Sequence, residues 1–190
     1  MTHSVVSLRR PRVPELGALL EHQAGLPFSY KQTGMTSDDR PPAGFLADVA
    51  EVVVGQGGDV FDNAVSHLQN WRVHERSGLQ VRAEGPAQVD AAVVLVAHWA
   101  VAFVTLACRV VYVVEGERRW GFAYGTLEHH PETGEELFLV HHGLDDKVRF
   151  RVRAYSRHGH WLTWAIGPTA RLIQHRATLN YLEAMKDLVS

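Results

Sequence analysis

Six segments between residues 79 and 155 alternate apolar and polar side chains, which is the pattern of half-buried β-strands. The clearest is Val148–Ala154, where three arginines alternate with apolar residues, so one face is buried and the other is solvated. Short turn sequences such as Glu84-Gly85-Pro86 separate the segments, and strands joined in this way form an antiparallel meander. The predicted strands are Leu79–Glu84, Ala92–Ala97, Arg109–Val114, Arg119–Thr126, Glu135–His141 and Val148–Tyr155.

Such a sheet needs a cover on its apolar face, and the sequence supplies helices on both sides of it. Asp48–Val54 predicts one further strand, followed by a tight glycine turn and a helix with Asp59 as its N-cap and Trp71 at its end. The glycines lack the lysine and spacing of a phosphate-binding loop. Trp161–Ser190 has a helical period with a break at Gly167-Pro168. Its apolar stripe comprises Leu172, His175, Leu179, Leu182, Met185 and Val189, with His175 interpreted as a core histidine.

The first 45 residues differ from the remainder because they contain five prolines spread among short polar runs. Pro14 suits the first turn of a short helix, and residues 31–44 are typical of a loop. We therefore expect an N-terminal extension over residues 1–45, with a short helix and a loop, ahead of one domain over residues 46–190.

Composition narrows the function classes. Lys and Arg total 19 against 21 Asp and Glu, so the balance does not favour nucleic acid. The single cysteine, Cys108, excludes an internal disulfide, and its apolar neighbours indicate an inert thiol. Ala91–Cys108 is apolar enough to resemble a membrane span, but its many β-branched residues favour two buried strands joined around His98–Thr105. Without a signal sequence or disulfide, the expected compartment is the cytoplasm.

The order of strand, helix, six antiparallel strands and long C-terminal helix resembles the helix-grip fold of the birch-pollen-allergen and START-domain superfamily. The fold class is therefore expected to be α+β, with a curved antiparallel sheet wrapped around the last helix. In that superfamily the space between sheet and helix is commonly a ligand cavity, and the resemblance implies one here.

Three segments carry a more specific resemblance. They are Gly55–Trp71, with its Gly-x-Gly and Phe-x-x-Ala spacing, then Cys108–Val113, then Gly121–Phe138, which contains Gly-Phe-Ala-Tyr-Gly-Thr-Leu and His-Pro-Glu-x-Gly-Glu-Glu. Together they resemble the bacterial and plant family known as domain of unknown function 1990, over about residues 28–188. That family implies the fold and no particular chemistry.

The strand Trp120–Thr126 is the most informative for a site. Trp120, Phe122 and Tyr124 point to one face, and the small residues between them allow a close approach on the other. The aromatic row is either plain core or a cavity wall with the Tyr124 hydroxyl as its polar group. In the second case the expected ligand-contacting residues are Trp71, Arg109, Tyr112, Phe122, Tyr124, Tyr155 and Trp161.

Acidic residues and a histidine follow that strand. His130, Glu132, Glu135 and Glu136 cluster there and could perform acid–base chemistry or bind a hard metal ion, or they could belong to a solvated hairpin whose turn is residues 131–134. Arg109 could pair with one of these glutamates inside the fold. The histidines show no standard metal spacing, so we expect no metal and no cofactor.

Three functions compete at this point. The leading hypothesis is a binding protein for a small apolar or aromatic molecule, held between sheet and C-terminal helix, with Arg109, Glu136 and His130 as polar anchors. The second is a cyclase, dehydratase or isomerase with Glu136 or Glu132 as base and Tyr124 or His130 as acid. The third is an interaction module with a filled core. The oligomeric state is open.

Overall fold

The computed structural model describes residues 6–99, 101–158 and 168–190. Its strands are β1 (Val6–Ser7), β2 (Leu46–Gln56), β3 (Gln80–Ala83), β4 (Ala92–Trp99), β5 (Ala102–Gly116), β6 (Arg119–Thr126), β7 (Glu132–His142) and β8 (Lys147–His158). They form one antiparallel sheet in the order β2-β8-β7-β6-β5-β4-β3, with β1 paired to β5. All the predicted strands are present, and the first long strand, β2, joins the last, β8.

β5 and β7 start three or more residues earlier than the sequence pattern predicts. β5 begins at Ala102, so the expected connection around His98–Thr105 is instead a β-hairpin with His98 opposite Phe103. β7 begins at Glu132, opposite His158, so residues 131–134 are not the turn. In both cases the continuous backbone ladder extends through residues that composition alone assigned to a connection.

The helices are α1 (Val13–Ala24), α2 (Gly58–Gln69), α3 (Arg72–Arg76) and α4 (Pro168–Val189). Gly57, at φ 90°, caps α2 in place of Asp59, because the sharp turn after β2 needs a positive φ that glycine adopts without strain. The helix predicted to reach Trp71 is two elements, since Trp71 itself has a φ of 62° and interrupts the α-helical run.

The inner face of the sheet packs against α2, α3 and α4. Phe122, Phe138 and Phe150 from the sheet form one core cluster with Leu182 and Met185 of α4. The sheet therefore wraps its apolar face around the C-terminal helix, which confirms the expected α+β helix-grip class.

The buried face of α4 is rotated relative to the predicted stripe. Leu172 and Leu179 are 66% and 44% exposed, and the interpretation of His175 as a core residue is wrong, because it is exposed and pairs with Asp48 at 3.0 Å. Thr178 and Tyr181 face inward instead. Hydropathy missed this face because part of it is polar.

The outer face of the sheet is covered by the N-terminal residues. Leu16, Leu19 and Leu20 of α1 pack on Ala92, Val94 and Val96, and residues 28–45 form a second cluster around Tyr155. The proposed boundary at residue 45 stays a prediction, although the residues before it bury apolar surface against the sheet.

The arginines of β8 are not one solvated strip as expected. Arg149 and Arg151 make exposed ion pairs with Asp145 and Glu51, but Arg153 is buried. Its guanidinium donates to the carbonyls of Thr36 and Asp38 at 3.1 and 2.8 Å and pairs with Asp39. Arg153 therefore holds the N-terminal segment on the sheet.

Residues 92–99 and 102–108 lie in β4 and β5, which confirms the interpretation of this apolar stretch as two strands. Across the parts of the chain that the structure describes, no helix combines the length and apolar character needed to cross a membrane.

Candidate functional site

A cavity of about 260 Å³ lies between the sheet and α4. One wall is apolar and comes from β4, β5, β8, α4 and the residue that precedes β3. Its residues are Leu79, Leu95, Ala97, Val104, Leu106, Cys108, Ala154 and Ala177. Because inward-facing residues alternate along each strand, these side chains share a single face. Burial raises the pKa of Cys108, in agreement with an inert thiol.

The cavity also carries a hydrogen-bonded polar pair, on the two strands that lie between β5 and β8. Tyr124 and Glu136 are direct cross-strand partners on β6 and β7, and the Tyr124 hydroxyl donates to Glu136 Oε2 at 2.8 Å. Burial raises the pKa of Glu136 to about 7, because the charged form loses hydration. Burial also raises the pKa of Tyr124, as do Glu136 and the neighbouring Tyr181. A carboxyl that titrates near neutral pH faces the cavity.

His130 and Glu132 line one end of the same cavity. The backbone amide of Glu132 donates to His130 Nδ1 at 3.0 Å, and burial lowers the pKa of His130 to about 4. Burial raises the pKa of Glu132 to about 6. At neutral pH the imidazole is uncharged and therefore offers no positive charge to the carboxyls. All four candidate acid–base residues border one space.

Replacing Tyr124 with phenylalanine is expected to raise the pKa of Glu136 above 7. The hydroxyl hydrogen bond stabilises the carboxylate and lowers its pKa, so its removal favours the protonated form. NMR titration of the Glu136 side-chain carboxyl carbon measures the change. An unchanged or lower midpoint in Tyr124→Phe would contradict the role of this bond.

Phe122 and Trp71, two of the expected ligand contacts, belong to the packed core instead. Phe122 is fully buried, and Trp71 packs edge-on against it with ring centroids 5.0 Å apart. The Trp71 indole donates to the Gly85 carbonyl at 2.9 Å. Neither residue borders the described cavity, so their expected ligand contact has no support here. Trp161, the remaining inward candidate, lies outside the described residues.

Arg109 and Tyr155 lie on the outer face, which corrects their placement in the ligand site. Arg109 donates to the carbonyls of Ala24 and Leu26, the latter at 2.6 Å, and makes no pair with a glutamate. Tyr155 donates to the Asp38 carbonyl at 2.8 Å. Side chains alternate between the two faces along a strand. Arg109 follows the inward-facing Cys108, and Tyr155 follows the inward-facing Ala154, so both point outward.

Tyr112 is on the outer face for a different reason. A β-bulge shifts the register between Val110, which pairs with Tyr124, and Tyr112, which pairs with Ala123. The extra residue reverses which face the following side chains occupy. The Tyr112 hydroxyl lies 2.8 Å from Thr36 Oγ1, so it contacts the N-terminal segment.

The small residues of β6 admit this segment. A Cβ on Gly125 would collide with the ring and hydroxyl of Tyr30. Tyr30 in turn donates to Glu135 Oε2 at 2.7 Å. The close approach that the sequence predicted is therefore made by the protein's own chain.

Two buried residues have surroundings that the sequence did not predict. Glu135 is 3% exposed and accepts hydrogen bonds from Tyr30, from the amides of Gly34 and Thr36, and from the Thr36 hydroxyl. His74 of α3 is fully buried among aromatic rings, and neither ring nitrogen has a hydrogen-bond partner among the described residues. The donors to Glu135 lie about a hundred residues away, so no local pattern marks them.

Metal binding has no support in the described part of the chain, where no group of three or more His, Cys, Asp or Glu side chains could hold an ion.

A curved antiparallel sheet gripping a C-terminal helix, with a cavity between them, defines a helix-grip protein. The chain belongs to the family described as Domain of unknown function (DUF1990), whose profile matches residues 29–184. A UPF0548 protein of Deinococcus radiodurans is 29% identical over an alignment of 166 residues, which covers 79% of this chain and 81% of that protein.

Solved structures show the same fold at low sequence identity. The hypothetical protein jhp0584 of Helicobacter pylori matches with a TM-score of 0.60 and 11% identity, covering 77% of this chain and 88% of that one. The di-domain ARO/CYC StfQ from the steffimycin biosynthetic pathway matches with a TM-score of 0.52 and 12% identity, covering 76% of this chain and 50% of that one.

Proposed function

We propose that this protein binds a small, largely apolar molecule in the cavity between the sheet and α4. The observation that carries the proposal is the cavity of about 260 Å³ with an apolar wall and one convergent polar pair, Tyr124 and Glu136. Ligand sites typically combine mostly apolar lining with a few placed polar groups. A cavity of about 150 Å³ already accommodates benzene, so this space suits a molecule somewhat larger than one ring.

A specific observation also favours an enzymatic function for the same cavity. Glu136 has a pKa raised to about 7 by burial, which is near the optimum for a general base at neutral pH. Tyr124, 2.8 Å away, is the matching hydrogen-bond donor. His130, with its pKa lowered to about 4, is poorly suited to be a cationic acid. The likeness to StfQ, an ARO/CYC protein, supports this candidate at the level of fold.

The cavity argues against the third hypothesis, an interaction module with a filled core. No reaction is needed for the binding function, so binding is the primary proposal and acid–base chemistry the second. Either function requires that a molecule contacts Tyr124 or Glu136.

Native mass spectrometry of freshly purified protein tests binding directly. We expect the wild type to retain a small molecule that is released on denaturation. Ala154→Leu should reduce the retained fraction about tenfold or more. Ala154 lines the cavity and is the cross-strand neighbour of Glu136, so the larger side chain occupies the ligand's space.

Ala47→Leu is the matched control, since Ala47 is exposed on β2 and is opposite Tyr155. It should retain the molecule as the wild type does. Equal retention by wild type and Ala154→Leu would place the molecule elsewhere and contradict the proposal. A wild type that carries no molecule and binds none from a fragment library would also contradict it.

A further inference from the structure

The cavity has an unusual electrostatic balance. Of the described residues that line it, three are glutamates and none is Lys or Arg. The Glu135 carboxylate is turned to the outer face and is satisfied there, so Glu132 and Glu136 are the acidic groups that matter. His130 at the same end is neutral near pH 7, because burial lowers its pKa to about 4. The described lining therefore offers negative charge without a compensating positive charge.

Glu136 is the carboxyl for which this lack of positive charge matters most. Its one hydrogen-bond partner in the described structure is the neutral Tyr124 hydroxyl. The charges of Glu132 and Asp48, which are also acidic, raise its pKa further and disfavour its ionised form. Removing a carboxylate from water without a cation is costly, so a cation supplied by a ligand gains a strong partner here.

We propose that the ligand class is a small apolar molecule that carries a protonated amine, with the ammonium group paired to Glu136. This inference rests on the proposed binding function. The apolar wall contacts the hydrocarbon body, and the Glu136 carboxylate and the ammonium form a charge-assisted hydrogen bond. An anionic molecule is repelled by the same carboxyls.

A cation of another kind fits less well. The described residues hold no cluster able to ligate a metal ion, and Glu132 and Glu136 are four residues apart on one strand, a separation of about 14 Å along the backbone. One carboxyl and one hydroxyl suit a monovalent ammonium group on an apolar body.

Three matched probes separate the possibilities: hexylamine, hexan-1-ol and hexanoate share one alkyl chain and differ in the head group. Methyl NMR of Leu95, Val104 and Leu106, which line the cavity, reports occupancy. The methyls of Leu16 and Leu19, packed on the outer face, serve as the internal control. At pH 8 we expect hexylamine to bind about tenfold or more tightly than hexan-1-ol, and hexanoate to bind least.

The pH dependence provides a second readout. Six titratable groups bear on Glu136 from the elements packed around it: Asp48, Cys108, Tyr124, His130, Glu132 and Tyr181. Because ammonium binding requires ionised Glu136, hexylamine affinity should fall by up to about tenfold per pH unit below pH 7. The affinity of hexan-1-ol should change by less than about twofold over the same range.

The variant Glu136→Gln keeps the shape and removes the charge. We expect it to weaken hexylamine about tenfold or more and hexan-1-ol by less than about threefold, whereas Glu117→Gln, in the exposed β5–β6 turn, should match the wild type. Hexylamine no tighter than hexan-1-ol, or equal losses for both in Glu136→Gln, overturns the amine assignment while cavity binding stands. Cavity methyls that respond to none of the three probes at millimolar concentration overturn both proposals.

Discussion

Replacing Glu135 with alanine should destabilise the protein by about 4 kcal/mol, the largest effect on stability that we expect from a single substitution. Glu135 is buried and accepts four hydrogen bonds from Tyr30, Gly34 and Thr36. Its removal leaves these donors without a partner, and each unsatisfied buried group costs about 1–3 kcal/mol, with incomplete additivity. The N-terminal segment then loses its central attachment to the sheet.

Urea unfolding measures the change. Glu117→Ala, in an exposed turn, is the control and should shift stability by less than about 0.5 kcal/mol. Tyr30→Phe removes a single bond to Glu135 and should cost about 1 kcal/mol, so the network remains testable even where Glu135→Ala does not fold. If Glu135→Ala and Tyr30→Phe were both as stable as the wild type, the N-terminal segment would be held by its apolar contacts alone.

Glu135 and Glu136 show how one strand gives adjacent carboxyls different roles. Because side chains alternate across β7, Glu135 faces the N-terminal segment and is satisfied by neutral donors. Glu136 faces the cavity, where it accepts a hydrogen bond from the Tyr124 hydroxyl. A variant of Glu135 should therefore change stability, and one of Glu136 should chiefly change ligand affinity.

The alternation of side chains between the two faces of a strand made part of this site predictable from sequence. The row of Trp120, Phe122 and Tyr124 placed the Tyr124 hydroxyl on the inner face, and Glu136 on the next strand was a foreseeable partner. The same alternation, applied to β5 and β8, places Arg109 and Tyr155 on the outer face, although both were expected to contact the ligand. The cover expected from a long C-terminal helix was likewise visible as a period of 3.6.

Other parts of the site depend on features without a local signal. The β-bulge beside Tyr112 adds one residue to β5, and a single such insertion reverses the face of every later residue. His74 is buried because Trp71 adopts a positive φ and redirects the chain into α3. Polarity suggests an exposed position for such a histidine, whereas tertiary packing encloses it among Trp71, Phe138 and Tyr181.

The variant His74→Leu should become more stable than the wild type as the solution is acidified. Burial lowers the pKa of His74 from 6.5 to about 3, so between these values the unfolded chain binds a proton that the folded protein excludes. The contribution of His74 is complete above pH 6.5 and is lost as pH falls toward 3. At pH 4.5 the loss is about 3 kcal/mol, at about 1.4 kcal/mol per pH unit.

The cavity carboxyls change the folding stability in the opposite direction as the pH falls. The stability of His74→Leu is therefore compared with that of the wild type at each pH. Burial raises the pKa of Glu136 to about 7 and that of Glu132 to about 6. Their contribution is complete below pH 4.5 and is lost as pH rises through those values. In the wild type the two trends partly cancel, whereas the difference between His74→Leu and wild type isolates the histidine.

Urea unfolding at pH 7, 5.5 and 4.5 measures that difference. Near pH 7 we expect His74→Leu to be neutral or stabilising by about 1 kcal/mol, because it removes two buried nitrogens without partners. By pH 4.5 its advantage should grow by about 3 kcal/mol. His98→Leu, on the exposed side of β4, should follow the wild-type curve. Parallel curves for His74→Leu and wild type would mean that the folded protein accommodates the imidazolium, which is possible only if water or an acidic group reaches the ring.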